Sequence, residues 1–211
     1  MEVNAVVNDC RSMVIGGIVT GLEIWEMAVV PFLLNNCETW CNLPAKATEI
    51  LDNLQNQFLR NLLATPRTCP TPFLMWETGT ISMNNKILKK KLLFYHHLLQ
   101  LPQDSLAWQI AQTQINLGLP GLTQECSTNC KEMKLPNPEN LSKMEWKRIV
   151  NQKIKNKNKN DLLSSMQRYK KLDANKHRQE NFELKTYMTN LTMQAARLKF
   201  ASRSKMMKLL N

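Results

Sequence analysis

Six cysteines, three histidines and two glutamates in an apolar run are the side chains whose spacing suggests site chemistry. Cys37/Cys41 and Cys126/Cys130 each have a C-x3-C spacing, and His96 and His97 are adjacent. Four thiolates would complete a zinc tetrahedron. Neither pair sits in a tight glycine-containing knuckle, so the expectation is small buried hydrophobes, with no metal and no other cofactor. Nothing in the sequence marks a cysteine as activated for Cys–His catalysis. Glu23 and Glu26 lie three apart within the apolar stretch 14–34. Their expected role is a partly buried pair answered by a cation. Lys91 is the candidate cation, because it falls within the apolar arc of its helix while Lys86, Lys89, Lys90, His96 and His97 lie on the polar arc.

A polymerase or nuclease holds divalent metals with paired carboxylates. The aspartates are Asp9, Asp52, Asp104, Asp161 and Asp173, and no two are adjacent. There is no phosphate-cradling glycine loop and no serine nucleophile elbow. Gly16, Gly17 and Gly21 lie inside a helical pattern, where they serve close helix packing. The tryptophans Trp25, Trp40, Trp76, Trp108 and Trp146 are widely spaced among apolar neighbours, which assigns them to cores. No catalytic residue is identified, and the expectation is that the chain is not an enzyme.

Cations supply the remaining chemistry. Lys153, Lys155, Lys157 and Lys159 alternate, followed by Arg168, Lys170 and Lys171, then Arg197, Lys199, Arg203 and Lys205. Such side chains neutralise phosphates without reading sequence. Tyr169 and Phe200 interleave with them as stacking candidates.

The elements that position these groups are helices. Asp9 or Ser12 caps a helix through Ala28, with Pro31 kinking it or opening the next turn. Leu51, Leu54, Phe58 and Leu62 make one helical face within 45–63. Pro66, Pro70 and Pro72 make residues 65–72 a connector. Residues 81–101 form the clearest helix, with one stripe through Ile81, Leu88, Leu92, Tyr95 and Leu99, and an adjoining stripe through Met83, Ile87, Phe94 and Leu98. Asp104 and Ser105 are cap candidates for a helix over 104–116, which Gly118-Leu119-Pro120-Gly121 ends. Further helices are expected over 141–155, 160–172 and 187–209, the last with Leu191, Ala195, Leu198, Met206 and Leu209 on one face. Strand alternation is almost absent. The fold class is therefore all-α: an irregular helical bundle followed by a basic helical tail.

The chain has 211 residues and a formal net charge of +11. Residues 1–130 carry 8 basic and 10 acidic side chains, and residues 131–211 carry 20 basic and 7 acidic ones, so the positive charge lies wholly in the second part. That shift, with Pro136 and Pro138, divides the chain into a helical domain at 1–130, a linker at 131–140 and a basic helical region at 141–211. Such a charge suits a polyanion, an acidic protein face or an anionic membrane. No membrane span is expected, because Glu23 and Glu26 interrupt the most apolar stretch. Cysteines without a secretory leader indicate an intracellular chain, with nucleus and cytoplasm unresolved. The apolar end Met206-Met207-Lys208-Leu209-Leu210-Asn211 reads as a cut from something longer.

Several strings in order carry a resemblance. They are Gly21–Trp40, the run Leu51-Asp52-Asn53-Leu54-Gln55-Asn56-Gln57-Phe58-Leu59-Arg60, Thr71-Pro72 with Leu74-Met75-Trp76-Glu77, the Lys89–Leu99 helix, and Leu119-Pro120-Gly121-Leu122. Together they resemble the segment downstream of the polymerase core in non-LTR, LINE-like retrotransposon reverse transcriptases, from about residue 8 onward. The resemblance implies a thumb-like helical domain followed by a post-thumb region that packs on template RNA or an RNA/DNA duplex. Arg60, Arg67, Lys86, Lys89 and Lys90 would inherit contact roles, with the basic helices behind them. The family's paired catalytic aspartates and its Cys/His knuckle have no match here. The resemblance thus implies a non-catalytic fragment that binds RNA or DNA backbone weakly and without sequence preference, beside a separate or missing polymerase palm. The alternative is a structural or interaction protein, or a retroelement relic with no selected activity.

Overall fold

The computed structural model describes residues 17–169 and 181–204. The expected caps Asp9 and Ser12, together with Gly16, Met206 and Leu209, lie outside the described residues. Every regular element among the described residues is helical, so the protein is all-α. Contacts divide the chain into two units. The first comprises Met1–Leu33, Ile50–Ser82 and Asn158–Asn211, and the second Leu34–Glu49 and Met83–Lys157. The unit boundaries at 33/34, 49/50, 82/83 and 157/158 fall elsewhere than the charge boundary at 130. The proline-containing segment after it holds a 3-10 turn at Pro138–Asn140.

In the first unit, α1 (Gly17–Ile24) passes through a π-turn (Trp25–Val29) into α2 (Val30–Leu33). Pro31 has no amide hydrogen and crowds the carbonyl four residues back. The π-turn absorbs that demand, with the Val30 amide bonding the Trp25 carbonyl five residues back. The stretch is only partly a buried helix: Ile18, Leu22 and Trp25 are buried, but Glu23, Glu26, Met27 and Phe32 are exposed. α3 (Ala45–Leu63) buries Phe58, Leu59, Leu62 and Leu63, leaving Leu51 and Leu54 half-buried. Trp25 stacks on Phe58 with ring centroids 4.4 Å apart. Gly21 has the close-packing role expected of it, since a Cβ there would stand 2.6 Å from Leu62 Cδ1. Gly17 has open space instead.

α4 (Thr71–Thr78) starts with Pro72 in its first turn and is buried at every residue from Phe73 to Thr78. α9 (Thr186–Asn190) and α10 (Met193–Arg203) replace the single helix expected over 187–209. Thr192 interrupts it, its hydroxyl accepting the Ala195 amide at 3.4 Å as an N-cap. The buried face is then Ala196, Phe200 and Ser204, not the expected one: Leu191 and Leu198 are exposed. Phe200 is a core residue against Phe73, with centroids 5.2 Å apart, and so cannot stack on a ligand.

The second unit is built on α5 (Met83–Leu99) with α6 (Leu106–Leu117) and α7 (Leu122–Glu132). The α6 boundaries follow from local chemistry. Ser105 Oγ accepts the Trp108 amide at 3.2 Å, and Gly118 at φ 60° takes the left-handed stop position. α7 covers residues of the helical domain to which no element is assigned above, and its end runs into the expected linker at Lys131 and Glu132. His96 leaves the polar arc assigned to it: it is buried, stacks on Trp146 at 5.6 Å and bonds the Leu141 carbonyl at 3.0 Å. Trp146 Nε1 donates to the Leu92 carbonyl at 2.9 Å.

One helix, α8 (Lys143–Met166), replaces the two expected on either side of residues 156–160. It opens with a capping box in which Ser142 Oγ accepts the Glu145 amide and Glu145 Oε2 accepts the Ser142 amide. The Ser142 hydroxyl, donating to Glu145 Oε2 at 2.7 Å, and the Ser142 amide together hold the Glu145 carboxyl below its usual pKa. Trp146, Val150, Ile154, Asn158, Leu162 and Met166 recur every fourth residue and are all buried. Asn158 belongs to this stripe, its Oδ1 accepting the Ser82 amide at 3.0 Å, so the Asn-Lys run continues the helix.

Candidate nucleic-acid interface

Glu77 organises the cations of the first unit. It ends an apolar run on α4 and is fully buried. A buried carboxylate must be paired and hydrogen-bonded. Arg203, at the end of α10, donates Nε to Oε2 at 2.8 Å and Nη2 to Oε1 at 2.9 Å. The Tyr187 hydroxyl donates to Oε2 at 2.6 Å. The Glu77 carbonyl accepts the Lys185 amide at 3.2 Å. Gly79, at φ 65°, allows this approach, since a Cβ there would lie 2.6 Å from the Leu184 nitrogen.

Two aromatic faces then collect positive charge. Lys159 Nζ lies 5.9 Å and Lys185 Nζ 5.6 Å from the Trp76 ring centroid. Lys199 Nζ lies 5.6 Å and the Arg203 guanidinium 6.0 Å from the Tyr187 centroid. Ring quadrupoles attract cations at such distances. Lys199 is exposed, and Lys159 and Lys185 are half-buried. Trp76 is fully buried and Tyr187 nearly so, which leaves charge, not base stacking, as the chemistry these residues offer an anion.

Several expected contact residues serve the fold. Arg60 donates to the Cys69 carbonyl at 3.1 Å and Thr71 Oγ1 at 2.8 Å, bracing the proline turn. Arg197 donates Nε and Nη2 to the Leu62 carbonyl at 3.1 and 2.9 Å, capping α3. In the second unit, Lys90 Nζ donates to the Leu34 carbonyl at 2.8 Å. Lys86 and Lys89 are half-buried on α5. On α8, Lys153 and Lys157 lie to one side of the buried stripe and Lys155 to the other. Arg67 and Arg168 are exposed, as is Tyr169. Lys170, Lys171 and Lys205 lie outside the described residues. Glu77, Trp76, Tyr187 and Lys185 were not foreseen as site residues. The available signal was Glu77 itself, an acid closing an apolar helix that must find a cation.

The ion pair expected for Lys91 is corrected. Its Nζ bonds Glu125 Oε1 at 2.7 Å, not Glu23 or Glu26, which are both exposed. α5 and α7 lie together in the second unit, and this pairing satisfies a lysine only 3% exposed. The thiols of Cys37 and Cys126 feel the Lys91 charge, and these two and Cys130 are all buried. Burial pushes Cys37 and Cys130 up to about 11, and raises Cys126 further. Cys69, in the first unit, is likewise pushed up to about 11 by burial. These thiols behave as small hydrophobes. Among the described residues, no three His, Cys, Asp or Glu side chains are grouped to hold a metal ion. No described helix is long and apolar enough to cross a membrane.

The fold and site thus define an all-helical protein whose first unit gathers cations around two buried rings. No family model, curated protein or solved structure matches the chain.

Proposed function

We propose that the chain is a non-catalytic helical segment of the kind found downstream of the palm in non-LTR retrotransposon reverse transcriptases. It binds RNA or an RNA/DNA duplex weakly through backbone phosphates and without sequence preference. The observation supporting this reading is the gathering of Lys159, Lys185 and Lys199 around Trp76 and Tyr187, within a C-terminal part that carries the chain's positive charge. The non-catalytic part rests on the sequence, which lacks adjacent aspartates.

Fluorescence anisotropy with a labelled RNA/DNA duplex, titrated over a KCl series, tests it. Log affinity should fall linearly with log salt, by about 0.9 per phosphate neutralised. Combining Lys159→Ala, Lys185→Ala and Lys199→Ala should flatten that slope, while two unrelated duplex sequences bind alike. No binding at low salt, or binding indifferent to salt, overturns the reading. Met27 at 79% and Phe32 at 75% exposure favour the second reading, a structural or interaction protein.

A further inference from the structure

We infer that α6 is a self-association helix, through which two copies of this chain pair antiparallel along one apolar seam. Leu106, Ile110, Thr113 and Leu117 are spaced 4, 3 and 4, the alternation that keeps side chains on a single coiled-coil seam. All four point away from the unit: Leu106 is 71% exposed, Ile110 50% and Leu117 67%, and Thr113 is exposed too. The Thr113 hydroxyl donates to the Gln109 carbonyl at 2.8 Å, so it enters an apolar seam already satisfied.

The helix packs on α5 and α7 by its other face and leaves this one open. Only Ala111 among its residues is buried. A helix this short draws its stability from the burial of a face, not from propensity. Yet α6 is defined at both ends, by the Ser105 cap and the left-handed Gly118. A partner on the open seam supplies the missing burial.

Charge selects the occupant. Residues 105–124 contain no Asp, Glu, Lys, Arg or His, in a chain of net charge +11. A nucleic acid or an anionic membrane finds no cation on this face, and an oppositely charged protein finds nothing to answer. Two copies repel across charged surfaces, but at this face they meet without like-charge contact. Antiparallel pairing sets Leu106 against Leu117 of the second copy and Ile110 against its Thr113, and aligns the helix dipoles favourably. A seam of three turns is at the small end of interfaces, so association is weak and concentration-dependent.

Sedimentation velocity of the full chain over a concentration series, at low and high KCl, tests this. A reversible monomer–dimer equilibrium is expected, shifted toward dimer by KCl, the opposite of nucleic-acid binding. Ile110→Lys should leave the chain monomeric with an unchanged far-ultraviolet circular dichroism spectrum. Thr113→Leu fills the one polar seam position and should tighten the dimer about tenfold. The Thr113→Leu arm decides the question even if Ile110→Lys unfolds. The inference is overturned if wild type and Thr113→Leu both stay monomeric throughout. It is equally overturned if dimers survive Ile110→Lys or dissolve as KCl rises.

Discussion

Arg203 forks onto Glu77, placing Nε 2.8 Å from Oε2 and Nη2 2.9 Å from Oε1, with the carboxylate wholly shielded from solvent. This contact pins the end of α10 to α4 and holds the guanidinium beside the Tyr187 ring.

Removing one partner leaves the other stranded. Arg203→Ala keeps the Tyr187 hydrogen bond but abandons a buried carboxylate, and should destabilise the protein by about 3–5 kcal/mol in urea unfolding. Arg203→Lys cannot reproduce the fork and should fall between wild type and Ala. Replacing both residues by Leu and Met should recover most of the loss. An Arg203→Ala variant as stable as wild type would show that the pair contributes nothing.

Gly79 and Gly118 separate backbone strain from crowding. Both have φ near 60°, but a Cβ at Gly118 meets open space, whereas one at Gly79 meets backbone. Gly118→Ala should cost only the left-handed penalty, about 1–2 kcal/mol. Gly79→Ala adds displacement of residues 183–185 and should lose more than about 3 kcal/mol. Thermal unfolding of the two variants side by side checks the order.

The Lys91–Glu125 pair is asymmetric, since Lys91 is 3% and Glu125 32% exposed. Glu125→Ala strands the buried ammonium and should cost about 3–5 kcal/mol. Lys91→Met strands a carboxylate on a side chain that is a third exposed, although its Oε2 is itself buried, and should cost less. The reverse order of urea midpoints would contradict the assigned geometry.

Burial raises the Cys37, Cys69 and Cys130 thiols from 9.0 to about 11, and the Tyr95 phenol from 10.0 to about 12. The folded state keeps these acids protonated while the unfolded chain ionises them sooner. Their stabilisation is complete below the unfolded values and is lost as pH rises through the folded ones. The melting temperature should therefore decline above about pH 9 and keep falling toward pH 12. Cys41 is the exposed thiol among the described residues, so Cys41→Ser should remove one fast-reacting equivalent from a thiol titration at neutral pH.

Local rules made much of the helical framework legible. The 3.6-residue period marks 45–63 and 81–101, Ser105 is a cap by chemistry, and Gly118 stops α6 because it tolerates a left-handed backbone. The all-α class and the concentration of charge after residue 130 were readable for the same reason: they depend on composition and on neighbours within a few residues. Partners distant in sequence were not readable. The acid that answers Lys91 lies 34 residues away, and the cation that answers Glu77 lies 126 away. A polar residue announces that burial requires a partner, but only the approach of helices chooses which one. The same reason moved His96 and Phe200 inward and ran α8 through the Asn-Lys run, where Asn158 found the Ser82 amide. Periodicity restricts which faces can be buried, and tertiary packing decides which of them are.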